Sequence, residues 1–397
     1  MTNQKSLPII ASVIGCVLFI SIMCFFMLNA WKKRELEFES HPETNQLIPS
    51  VQQAVAENTA RVFGTYKDLK IPQTAPVQLT KPADEKGEPL QRLVNAQALY
   101  TQHCLLCHGV NGAGDGPQAH VLNPKPRDFR LGIVKYTSTE VGQKASTEDL
   151  QNVIKNGIAG TGMPAFKGLG NHEIAQIVDY VKYLALRGDT ERIVSVEAVV
   201  DFSEENASKR DRQNLTEEAA EFINEDLPAI YDDESERLFA MWAKADSPSQ
   251  IVEPDGFPPA PTEASLAEPS VKSIVNGRKL YLSKKGQCAS CHGETGKGDG
   301  EQTTQFHKRP DGSNYQEPGL HDAWGHLVKP RDLTYGVFHG GRRPIDIYRR
   351  IYAGVKGTPM PAYGASGLSE AEIWDLVNYL LYLAGDFPEI GPEDFSR

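Results

Sequence analysis

"CLLCHGVNGAGDG" runs from Cys104 to Gly116, and "CASCHGETGKGDG" runs from Cys288 to Gly300. Each opens with two thiols three residues apart and a histidine directly after the second. From Cys107 and Cys291 onward, "CHGVNGAGDG" and "CHGETGKGDG" agree at seven of ten places. The likeness spreads outward. Ahead of the cysteines, "VNAQALY" (Val94 to Tyr100) matches "VNGRKLY" (Val275 to Tyr281). Behind them, "KPRD" recurs at Lys125–Asp128 and Lys329–Asp332, and "GTGMPAF" (Gly160 to Phe166) returns as "GTPMPAY" (Gly357 to Tyr363). Finally "EIAQIVDYVKYLA" (Glu173 to Ala185) matches "EIWDLVNYLLYLA" (Glu372 to Ala384) at seven of thirteen. The chain holds a tandem duplication of a unit of about a hundred residues, too few copies for a solenoid.

Cys-x-x-Cys-His is the attachment signature of c-type haem. Two thiols on one helical turn both reach the vinyl groups of one porphyrin, and the adjacent histidine lies under the iron. A zinc ribbon would pool two Cys-x-x-Cys pairs on one metal, but these pairs are 184 residues apart and each has its own histidine. A thioredoxin-like redox pair has no use for that histidine. Cys104, Cys107 and His108 are therefore expected to hold one haem, and Cys288, Cys291 and His292 a second. The glycine loops lack both the G-x-G-x-x-G spacing and the Lys-Ser/Thr of a phosphate loop. Their glycines are expected to let the backbone pass close to the haem.

Each copy reads as mainly α-helical. Ile174, Ile177, Val178, Val181 and Leu184 share one helical face, as do Ile373, Leu376, Val377, Leu380 and Leu383. Ser369 and Glu372 have capping-box spacing. Helices are also expected over Glu148–Gly157 and Ile345–Gly354, each closed by a glycine. The copies differ between Asp299 and Asp332, where the second carries a 20-residue insertion relative to Asp115–Asp128. It holds His307, His321, Trp324 and His326, and is expected at the surface, facing a partner or solvent.

Each copy, with these features, resembles a class I cytochrome c domain, over Gln91–Arg187 and Ser273–Ala384. That family has Cys-x-x-Cys-His near the N-terminus, a methionine in a Gly/Pro loop and a closing amphipathic helix. The resemblance implies that Met163 and Met360 are the second axial ligands, paired with His108 and His292. Each is the single methionine of its copy, in the same place of the repeat. The rival readings are a core-filling methionine or a second histidine ligand. His103, His120 and His172 in one copy, and His307, His321, His326 and His339 in the other, have no counterpart across the repeat. The resemblance also implies that a proline carbonyl, of Pro126 or Pro330, accepts from the proximal imidazole. Arg127 and Arg331 would neutralise haem propionates. His/Met ligation raises the reduction potential and fills both axial sites, which favours electron transfer over catalysis.

The chain has 397 residues and a net charge of −11. Residues 191–270 carry 20 acidic and 6 basic groups, so the acidity belongs to that segment. Nothing has the basic balance of a nucleic-acid binder, and no small-molecule substrate is expected. From Ser6 to Trp31 no residue is charged, long enough to span a bilayer, and the poor cleavage site favours an uncleaved anchor. "KKR" after the span would by itself favour the cytoplasm for the rest of the chain; haem attachment outside the cytoplasm decides for the periplasm. The expected plan is an anchor (1–34), an extended linker (35–88), a first cytochrome c domain (89–190), an acidic, partly helical linker (191–270), a second domain (271–388) and a tail (389–397). Such a chain would relay single electrons at the bacterial inner membrane, from a quinol-oxidising complex to a terminal oxidase or soluble cytochrome. The plan also resembles the dihaem subunit of haem–copper oxidases, except that the acidic linker departs from it. A subunit of a bc-type complex is an alternative, and a dihaem peroxidase or dehydrogenase subunit is the enzyme alternative.

Overall fold

Proline, serine and glycine set the starts and stops of the helices, which make up nearly all the regular structure of the described residues. The computed structural model describes residues 36–72, 88–254 and 271–387. The expected anchor lies outside them, and so do most of the Pro-rich spacer and residues 255–270 of the linker. Among the described residues no helix is long and apolar enough to cross a membrane, and β pairing is confined to isolated bridges.

Besides a single turn at Glu204–Ala207, the α-helices of the described residues are α1 (Pro49–Phe63), α2 (Pro89–His103), α3 (Leu105–His108), α4 (Thr147–Asn156), α5 (Asn171–Phe202), α6 (Arg212–Glu221), α7 (Leu227–Ala245), α8 (Val271–Leu282), α9 (Cys288–His292), α10 (Pro344–Ala353) and α11 (Glu370–Leu383). Helices α2 to α5 repeat as α8 to α11. Ser146 and Asp149 close a capping box on α4, and Ser369 and Glu372 close the one expected on α11. Helix α8 crosses α11 at Gly277, where a Cβ would lie 2.0 Å from the Asp375 carbonyl oxygen. The first copy has buried Ala96 at the corresponding place.

The linker expected to be extended holds a packed helix where it is described, and the acidic one, expected to be partly helical, is helical and folded against the first domain. Residues 35–88 contain α1, whose Val51, Ala54, Val55 and Val62 are buried on one helical face. Helix α5 does not stop at residue 190. It runs on to Phe202 because Val194, Ala198 and Phe202 continue the buried stripe. Helices α6 and α7, joined through a π turn at Phe222–Asp226, then fold back. Trp242, Tyr231, Leu238 and Phe239 pack into the same core as α1, α2 and α5. The second copy has a core of its own around Tyr281, Tyr348, Ile373 and Val377.

Several charges of this region act inside the fold. Asp189 accepts from Lys144 and Arg192, both at 2.8 Å, with its side chain 3% exposed. Glu191 accepts from the His41 backbone N–H at 2.7 Å and from Thr44 at 3.0 Å, tying the segment before α1 to α5. Lys182 reaches Asp246 at 3.4 Å, which also accepts from the Thr147 N–H at 2.5 Å, so the end of α7 is pinned to the start of α4.

His41 is buried, and its Nδ1 accepts from the Glu43 backbone N–H at 3.2 Å, so the ring must be neutral there. Burial, then Arg130 and Arg192, lower its pKa from 6.5 to about 3. The unfolded chain binds this proton below pH 6.5 and the folded one does not. Stability is therefore lost as pH falls through that window, by at most about 1.4 kcal/mol per pH unit. Chemical denaturation of His41→Asn at pH 7.0 and 5.0 should show a smaller acid loss than the parent, by about 1–2 kcal/mol.

Candidate haem-binding site

The cysteines sit where one helix hands over to the next. Cys104 ends α2, its N–H donating to Tyr100 O at 2.8 Å, and its own carbonyl accepts from the N–H groups of Cys107 and His108 at 3.1 and 2.9 Å. That turn puts Cys104, Cys107 and His108 on one wall. All four described cysteines are free of disulfides. The two thiol pairs do not merge into one metal site, and no group of three or more His, Cys, Asp or Glu arranged for a metal ion occurs among the described residues.

His108 Nδ1 lies 3.0 Å from Arg127 O, and His292 Nδ1 lies 3.1 Å from Arg331 O. A carbonyl only accepts, so Nδ1 carries the proton and Nε2 keeps its lone pair. Burial lowers the pKa of both imidazoles and keeps them neutral; the hydrogen bond to the carbonyl opposes this. The acceptor is thus the arginine carbonyl of "KPRD", and not that of Pro126 or Pro330 as expected. Successive carbonyls of an extended segment face opposite ways, and the proline carbonyl faces the glycine loop. A Cβ on Gly114 would lie 2.4 Å from Pro126 O, and one on Gly298 would lie 2.4 Å from Pro330 O.

This changes the reading of the glycines. Gly114 and Gly298 have φ of +74° and +76° and make room for that carbonyl. At Gly109 a Cβ would collide with the Asp115 carboxylate, as at Gly293 with Asp299. The loop closes on itself and on "KPRD"; haem approach is not what these contacts require. The loop is also stitched by Phe129 N–H to Gly112 O and by Leu333 N–H to Gly296 O, each at 2.7 Å.

The methionine loops are built alike. Ile158 N–H donates to Met163 O at 3.1 Å and Val355 N–H to Met360 O at 3.3 Å. Thr161 and Thr358 accept from the methionine N–H at 3.1 and 3.3 Å and donate to Ile158 O and Val355 O. These threonines went unremarked in the sequence although both loops share them. So did Tyr100 and Tyr281, whose hydroxyls donate to Gly109 O and Gly293 O at 2.9 and 2.7 Å. Met163 and Met360 are half-buried on the edge of their cores, which removes them from the role of central core filler.

All twelve expected residues border one continuous cavity of about 1240 Å³. His103, His120, His326 and His339 also line it; His120 is exposed and bonded to Pro117 O. Arg127 reaches the other copy, its guanidinium 3.6 Å from the ring centre of Trp324. Burial lowers its pKa to about 10, with Asp322 opposing. Arg331 points the opposite way, its Nη2 3.1 Å from where a Cβ of Gly160 would be. Arg331 Nε, Trp324 Nε1 and His339 Nε2 are buried without a partner. Paired thiols, a neutral imidazole and a thioether at each place, with unpartnered donors beside two guanidiniums, fit a c-type haem with its carboxylates.

Residues 91–181 match the family described as cytochrome c oxidase, cbb3-type, subunit III, and residues 274–384 match the family described as cytochrome c. The chain belongs to the c-type cytochrome family. Members of these families carry electrons and do not themselves transform a substrate. Among curated proteins nothing matches. A chain of the reducing HAO-like protein complex of Kuenenia stuttgartiensis is similar at 26% identity and a TM-score of 0.47, over 72% of this cytochrome and 94% of that chain.

Gly298→Ala should push the Pro330 segment away and strain the His292–Arg331 bond. Overpacking of this kind costs about 1–3 kcal/mol; denaturant titration should show it, and Gly142→Ala, with open space around it, should cost less.

Proposed function

We propose that this cytochrome is a dihaem subunit of a respiratory terminal-oxidase-type complex, held at the inner membrane by its N-terminal apolar run with both haem domains in the periplasm. One observation carries the reading: both donor sets open into one cavity. The oxidase-subunit match of residues 91–181 supports it. The acidic segment was the obstacle to this plan, and much of it is folded against the first domain instead of holding the domains apart.

Cys104 and Cys107 would hold one haem and Cys288 and Cys291 the other; His108 with Met163, and His292 with Met360, would ligate iron. Bound haem iron supplies the one-electron chemistry. The rest is the work of the chain. The Nδ1–H bonds to Arg127 O and Arg331 O fix the tautomer and ring plane of the two histidines. The threonine-stitched loops present the methionine sulfurs, which favour the reduced state relative to harder ligands. Arg127 and Arg331 supply positive charge where carboxylates would be desolvated. His108 with Met163, and His292 with Met360, would leave bound iron no open position for oxygen or peroxide.

Met163→Ala and Met360→Ala should each keep two covalent haems per chain. Each should lose part of the weak far-red band of methionine–ferric ligation and lower one midpoint potential. A full band in both variants overturns the ligand assignment. In detergent-solubilised membranes, the haem-stained chain should migrate with oxygen-consuming oxidase activity, and deletion of the chain should abolish that activity. A chain that migrates alone, with oxygen uptake intact after deletion, indicates a free relay instead.

A further inference from the structure

Most of the insertion lies at the surface as expected, but the turn of its second hairpin reaches the first domain. It folds as two small hairpins, with bridges Lys308–Asn314 and His321–Leu327, and Tyr315 stacks on His321 at 3.6 Å. The second hairpin ends in a tight turn. Asp322 Oδ1 accepts from the Trp324 and His326 N–H groups at 3.1 and 3.0 Å, while Oδ2 faces Lys135 of the first domain at 3.8 Å. Trp324 is thereby lodged between the domains. Arg127 lies on one face of its ring. Gly357 of the Met360 loop adjoins the Cζ3 and Cη2 atoms of the indole, where a Cβ would come within 2.6 Å; Ala323 N–H donates to Gly357 O at 2.9 Å.

The indole Nε1 is buried, has no acceptor in the protein, and belongs to a ring on the wall of the shared cavity. A buried indole N–H ordinarily finds a partner. Arg331 Nε, also on the wall of the cavity, is in the same position, and among the described residues no carboxylate forms an ion pair with the guanidinium of Arg127 or Arg331. Buried cations call for an anion, and the anions a haem brings are its carboxylates.

We propose that Trp324 is a positioning residue for the redox centres: its indole N–H donates to a haem carboxylate in the shared cavity while its ring face holds Arg127 against the same charge. The insertion is then a clasp between the domains that also tunes a potential. This rests on the haem reading above. Withdrawing a donor leaves the carboxylate's negative charge less compensated near iron, which stabilises the ferric state and lowers the potential.

The test uses the holoprotein. Haem is first counted in the parent and in each variant; a parent without two covalent haems overturns the underlying reading of the site, and this inference with it. Trp324→Phe keeps a ring on Arg127 and loses the N–H, whereas Trp324→Ala loses both. With two haems attached, Trp324→Phe should shift one one-electron equilibrium about tenfold toward the ferric form, about 59 mV, and Trp324→Ala should shift it further. Unchanged midpoints in Trp324→Phe, with only a lower unfolding temperature, overturn the proposal and leave Trp324 as interface packing. Because Trp324→Ala also removes packing, Trp324→Phe decides.

Discussion

A buried neutral imidazole has to give its ring proton to something, and in both domains the something is the arginine carbonyl of "KPRD". Much else depends on that bond. It sets the depth of the "KPRD" segment against α3 and α9. The neighbouring proline carbonyl must then turn toward the glycine loop, which only a residue without Cβ tolerates at Gly114 and Gly298. The arginine side chains, one bond further on, are thrown outward into the space between the domains. Ligand orientation, loop composition and domain contact are therefore parts of one steric solution, met twice.

The domain contact is reciprocal in outline and unequal in detail. Arg331 reaches the Met163 loop at Gly160, and Arg127 reaches the Met360 loop through Trp324. Tyr352 donates to Glu140 at 2.9 Å and Lys356 to Gln143 O at 2.6 Å, adding polar bonds around the rim. The chain entering the second domain is already docked, since Val252 N–H donates to Ser138 O and Val252 O accepts from Arg349. Adjacent centres suit electron transfer between them. The brace of α1, α6 and α7 on the far part of α5 lies elsewhere on the first domain, so acidic sequence and acidic spacer turn out to be different things.

The duplication, the helices that the methionine loops follow, and the capping box at Ser369 were all legible, because each is a local pattern. So were the thiols and histidines, whose chemistry demands their spacing. The acceptor of the imidazole proton was misplaced by one residue, since which of two successive carbonyls faces inward depends on a strand direction that spacing does not encode. The protein neighbours of Gly114 and Gly298 were not legible for the same reason. Helix α1 and the extension of α5 were missed although Val51, Val55, Val194 and Ala198 have helical spacing. Charge and proline content outweighed that signal, and a polar residue such as Asp189 looks solvated until its partners Lys144 and Arg192 come from elsewhere in the chain.

By itself the sequence determined two copies of a helical unit, each with cysteine spacing consistent with covalent haem c attachment, because thiol spacing and local helix signals act over a few residues. Only the tertiary structure decided that the two sites share one cavity, that one turn of the insertion reaches the first domain, and that Trp324 meets both Arg127 and Gly357. Those are meetings of segments 30 to 200 residues apart, and they depend on packing and on where buried charges find their partners.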